Sequence, residues 1–70
     1  MNMPHIYEIR VAGYLTEFWS DWFEGLQISN QPDGETVLRG KIVDQAALLG
    51  LLNKIYALNL TLISVNRKTS

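Results

Sequence analysis

The spacing of apolar residues changes repeatedly along this chain, and that constrains its fold more than any other feature. Tyr7, Ile9 and Val11 alternate with Glu8 and Arg10. A period of two with β-branched and aromatic residues marks a strand with one buried face, and Gly13 ends it. Leu15, Phe18, Trp19, Trp22 and Phe23 then recur at helical spacing, opposite Glu17, Ser20, Asp21 and Glu24. Alternation returns in Leu26-Gln27-Ile28-Ser29, and again from Thr36 to Val43. From Gln45 to Leu58 the spacing is helical once more, through Leu48, Leu51, Leu52, Ile55 and Leu58. Leu60 to Val65 reads as a last strand, apolar on both faces. The predicted order is β-α-β-β-α-β.

Local signals punctuate this order. Thr16 is a candidate N-cap for the first helix, with Glu17 near the positive end of its dipole and Gly25 as its left-handed terminator. Gln31-Pro32-Asp33-Gly34 is a turn. Proline presets φ, the aspartate bonds nearby backbone, and glycine accepts positive φ. Asp44 is placed to cap the second helix, and Asn59 to take the left-handed position at its end. Gly40 lies on the Leu38 side of its strand, where a missing side chain lets a helix approach closely. The first helix is short, and alone it would not hold; if it is only a single turn, the core becomes β-ββ-α-β under a looser lid.

Two βαβ units interlocked through a hairpin give an α+β, ferredoxin-like architecture, a four-stranded antiparallel sheet with helices on one face. The first and third strands are then central neighbours. Glu8 and Arg10 share the open face with Arg39 and Lys41, where opposite charges pair across strands. Residues 1–5 read as a tail, 6–67 as the domain and 68–70 as a polar end.

Bulk properties exclude several classes of function. With 70 residues the chain is one small domain, of the kind that needs a staple. It has no cysteine, so disulfides, thiolate metal sites and cysteine nucleophiles are all excluded. Its one histidine, His5, stands in the expected tail, so no metal or cofactor is expected. A net charge of −1 argues against nucleic acid and anionic membranes as partners. No run approaches the roughly 20 apolar residues of a membrane span. The first residues lack a signal-peptide pattern, so the cytoplasm is the expected compartment. Asn59-Leu60-Thr61 matches a glycosylation acceptor only by chance.

The run Trp19-x-x-Trp22-Phe23-x-Gly25-Leu26, then Gly34-Glu35-Thr36-x-Leu38-x-Gly40-x-Ile42-x-Asp44-Gln45-Ala46-Ala47-Leu48-x-Gly50-Leu51-Leu52, then Leu62-Ile63-Ser64-Val65, resembles a group of short bacterial proteins of unknown function. The resemblance spans most of residues 7–66. It implies histidine at position 49 and glycine at position 59, where this chain has Leu49 and Asn59. It therefore supports the element boundaries and supplies no activity.

No residue pattern points to catalysis. Asp44 is better explained as a helix cap and Glu35 as a solvated turn neighbour. Arg10, Arg39 and Lys41 have internal carboxylate partners at hand. No glycine-rich phosphate loop, nucleophile elbow or zinc spacing occurs, and the open sheet face lacks the aromatics of an RNA-binding sheet. The Phe18, Trp19, Trp22, Phe23 cluster reads as core, or as core with an interface at its edge. Leu49, Leu52, Asn53 and Tyr56 make a second stripe, which reads as a self-association face. The expected function is non-enzymatic binding as a homo-oligomer or with a protein partner. The interface candidates are Trp19, Trp22, Phe23, Leu49, Leu52 and Tyr56. An alternative is a small-molecule sensor resembling ACT-type regulatory domains, for which the first strand–helix loop offers only Gly13. Acylphosphatase-type enzymes resemble the element order too, but Ala12-Gly13-Tyr14 lacks their basic anion-holding loop.

Overall fold

The computed structural model describes residues 5–68. The other residues of the expected tail and polar end, 1–4 and 69–70, lie outside the described residues. The elements are β1 (His5–Ala12), a 3-10 helix (Glu17–Ser20), β2 (Gln27–Asn30), β3 (Glu35–Ile42), α1 (Gln45–Ala57) and β4 (Leu62–Lys68). The four strands form one antiparallel sheet in the order β2-β3-β1-β4. The fold is α+β. His5 belongs to β1 rather than to a tail, because β3 runs far enough for Ile42 to pair with it.

The period-two reading places the core correctly. Ile9 and Val11 of β1 pair with Leu38 and Thr36 of β3, and all four are buried. Leu51 and Ile55 of α1 pack onto this face together with Ile42. Tyr7 stands opposite Gly40, where its ring meets the core. Gly40 does mark a close approach, but the neighbour is the Leu26 side chain rather than a helix. A Cβ at Gly40 would fall well inside van der Waals contact with Leu26 Cδ2.

The hairpin and the second helix follow their local signals. Asp33 Oδ1 accepts from Glu35 N–H at 3.1 Å, and Gly34 takes φ +89°. Asp44 caps α1, accepting from Ala47 N–H at 2.8 Å. At the other end Asn59 adopts φ +58°. Asn59 N–H donates to Tyr56 O at 2.9 Å and Leu60 N–H to Ile55 O at 3.2 Å. These two bonds form a Schellman closure. They also explain why β4 begins later than its apolar run: Leu60's N–H is spent on the helix end.

The apolar residues of β4 do not all reach the core. The register against β1 shifts between Arg10 and Val11, which pair with Ser64 and Leu62 and leave Ile63 as an extra residue. Val65, opposite Ile9, packs against the core, whereas Leu62 and Ile63 at the bulge are exposed.

The first helix is the main correction. Among the described residues there is one α-helix, and it is α1. Residues 17–25 form a 3-10 helix that runs on into turns. Trp19 N–H donates to Thr16 O, Phe23 N–H is shared between Trp19 O and Ser20 O, and Gly25 N–H closes on Ser20 O. Thr16 is extended, and its side chain makes no capping bond. Glu24 and Gly25 both take positive φ, which ends any helical path. The physical reason is that the segment is short and dense in Phe, Trp, Ser and Asp, all poor helix formers. Its own hydrogen bonds are supplemented by what it buries, Phe23 foremost.

Candidate functional site

The 17–25 segment sorts its aromatics by burial instead of aligning them in one stripe. Phe23 is fully buried and sits with Leu15 and Leu26 in the core, so this interface candidate offers no surface. Trp19 is half-buried against the same core. Phe18 is 85% exposed and Trp22 is 41% exposed. The Phe18 and Trp19 rings meet edge-on, with centroids 6.2 Å apart. A short tight turn cannot hold four large rings on one side, so two stay in solvent.

Trp22 is fastened to α1 by one residue. Lys54 Nζ donates to Trp22 O at 3.0 Å and lies 5.5 Å from the centroid of the indole ring. It also lies 3.7 Å from Glu24 Oε2. A hydrogen bond, a cation–π contact and an ion pair thus converge on one ammonium, which pins the turn segment beside the helix.

The outward side of α1 is the second part of the surface. Leu49 is 60% exposed and Tyr56 83% exposed, with Leu52 half-buried beside them and Asn53 exposed between them. The exposed residues of α1 are Gln45, Ala46, Leu49, Gly50, Asn53, Tyr56 and Ala57. None carries a charge, although solvated faces of small domains are ordinarily rich in Lys, Arg, Asp and Glu. The structure therefore separates the six interface candidates. Leu49, Tyr56 and Trp22 are exposed, Leu52 and Trp19 are half-buried, and Phe23 is core. Phe18 and Tyr14 are exposed apolar residues that the helical reading did not single out as surface.

The open face of the sheet is polar. Glu8 stands opposite Arg39 and accepts from it at 3.1 Å, and Lys68 Nζ lies 3.7 Å from the other carboxylate oxygen. Arg10 donates to Glu35 at 3.1 Å, so Glu35 is a partner rather than a free turn carboxylate. That pairing was hidden in the sequence because the two residues sit on different strands and are not directly opposite each other.

A buried polar cluster was also missed. Thr36 is fully buried. Its Oγ1 lies 2.6 Å from Gly13 O and 2.7 Å from Asn30 Oδ1, and it accepts from Leu15 N–H at 3.3 Å. One hydroxyl proton serves one of the two oxygens at a time. Leu15 N–H also reaches Asn30 Oδ1 at 3.2 Å. Gly13 N–H donates to Gly34 O at 2.8 Å. The first loop is thus sewn onto the β2–β3 hairpin through Gly13 N–H, Gly13 O and Leu15 N–H.

Among the described residues, no three His, Asp or Glu side chains gather closely enough to hold a metal ion. Among the same residues, no helix is long and apolar enough to cross a membrane. Neither the curated proteins nor the solved structures provide a match to this chain. A family model described as a domain of unknown function, DUF8691, matches residues 6–66, nearly the whole described domain, and the chain belongs to that family.

Proposed function

We propose that this chain is a non-enzymatic binding domain of the ferredoxin-like type that works in the cytoplasm as a homo-oligomer. The strand order β2-β3-β1-β4 with a single helix joining β3 to β4 supports that architecture, the first helix being reduced to a 3-10 turn. The observation that carries the reading is the uncharged outer side of α1, with Leu49 and Tyr56 largely in solvent. A domain this small gains more from covering such a face than from leaving it wet. Three of the acidic residues have structural roles: Asp44 caps α1, Glu35 holds Arg10, and Glu8 holds Arg39. The ACT-like sensor alternative has less support, since Gly13 N–H, Gly13 O and Leu15 N–H, in the loop that would meet the ligand, are bonded to Gly34, Thr36 and Asn30.

Sedimentation velocity tests the reading. The wild-type chain is expected at a multiple of its 8.0 kDa mass. L49E places a charge in the apolar face and is expected to dissociate the assembly with the far-UV circular dichroism intact. A wild-type monomer at millimolar concentration would overturn the proposal.

A further inference from the structure

Gly50 has no explanation inside the chain. It lies exposed in the middle of α1, and a Cβ there would meet nothing within 4 Å. Its φ is not positive, so the backbone does not require glycine. A glycine at such a position weakens a helix by roughly 0.5–1 kcal/mol relative to alanine. A residue that breaks a local rule without an internal gain is expected at a functional or strained position, and Gly50 shows no backbone strain.

The neighbours of Gly50 show what kind of function. At about 100° per residue, Leu49, Leu52 and Tyr56 line up as a ridge along one side of α1. Ala46, Gly50 and Ala57 line up roughly a quarter turn away, as a shallow groove. Asn53 lies between the two rows. Trp22, held by Lys54, flanks α1 on the groove side.

We infer that α1 packs antiparallel against α1 of a second copy, the Leu49–Leu52–Tyr56 ridge of each seated in the Ala46–Gly50–Ala57 groove of the other. This rests on the self-association reading above and specifies its geometry. Ridge-into-groove packing is the general mode of helix contact, and small residues in the groove let backbones come close. The occupant is a second copy because one face holds both halves of the fit, and a twofold axis supplies each half twice. Charge agrees with this. The face is uncharged, so it meets its own copy without repulsion. An antiparallel pair also sets the Asp44 end of each helix beside the Lys54 end of the other and opposes the two helix dipoles. Area sets the extent: α1 is about 20 Å long, and its face alone falls short of the roughly 800 Å² per partner of a standard interface. Trp22 and Phe18, exposed on the adjoining segment, complete the contact.

The test compares G50L, G50A, L49E and wild type by sedimentation equilibrium and thermal melting. G50L fills the groove and is expected to raise the dissociation constant about 10- to 100-fold, as overpacking does, without loss of the far-UV spectrum. G50A has opposite effects on the two states. Below the dissociation constant the variant monomer is expected to melt higher than the wild-type monomer. The variant dimer is expected to dissociate at higher concentration than the wild-type dimer. Should G50L fail to fold, G50A decides alone. If L49E dissociates the assembly while G50L and G50A leave its mass unchanged, self-association stands and this geometry is overturned. If wild type is a monomer throughout, both readings fail.

Discussion

Replacing Thr36 by valine isolates the hydroxyl that joins the first loop to the hairpin. Threonine and valine have nearly the same volume, so T36V opens no cavity at this fully buried position. It removes the group that stands 2.6 Å from Gly13 O, 2.7 Å from Asn30 Oδ1 and 3.3 Å from Leu15 N. Leu15 N–H keeps Asn30 Oδ1 as an acceptor at 3.2 Å. Gly13 is exposed, so water can reach its carbonyl. Each partner thus keeps another hydrogen-bonding group, and the loss is the net worth of a hydrogen bond, about 0.5–1.5 kcal/mol. Global stability at this size is of order 3–10 kcal/mol, from roughly 0.05–0.15 kcal/mol per residue. With an m-value near 1 kcal/mol/M, urea midpoints are expected to fall by about 0.5–1.5 M. T36S is the control, since it keeps the hydroxyl and gives up a methyl, which costs about 1 kcal/mol. T36V is expected to unfold before wild type although it opens no cavity. A T36V midpoint equal to or above that of wild type would refute the claim that the hydroxyl holds the loop.

Two further substitutions probe the backbone. G40A pushes a methyl into Leu26 inside the core and is expected to cost roughly 1–3 kcal/mol, read as a fall in melting temperature of about 4–8 °C per kcal/mol for a domain this small; an unchanged melt would show that Leu26 swings aside freely. N59A forces an alanine into φ +58° and is expected to lose about 1 kcal/mol in urea unfolding, whereas N59G stays within about 0.5 kcal/mol of wild type. Equal midpoints for N59A and wild type would mean that the helix end relaxes out of its Schellman closure.

Much of the fold was legible before any coordinates, and the legible parts share a cause. The faces of β1 and β3, the Pro32-Asp33-Gly34 turn, the Asp44 cap and the Asn59 terminus each depend on residues close together in the chain. Side-chain period and capping chemistry are local, so a single sequence records them. Leu49 and Tyr56 were legible as surface for the same reason, because a long helix with a clear core stripe fixes its outward side.

The tertiary structure decided the rest. Leu15, Phe18, Trp19, Trp22 and Phe23 have helical spacing, but spacing alone does not set the backbone of a segment too short to nucleate. Its path depends on where Phe23 and Leu15 find the core and on Lys54 reaching across from α1 to Trp22. The bulge at Ile63 arises because β4 must match β1 after the helix has claimed Leu60. Arg10 with Glu35, Thr36 with Gly13 and Asn30, and Leu26 over Gly40 each join residues that local pattern does not connect. Period and caps determined which residues face the core. Only the closing of the sheet onto one helix determined which aromatics of the turn went in and which stayed out: Phe23 is buried, while Phe18 and Trp22 are left in solvent.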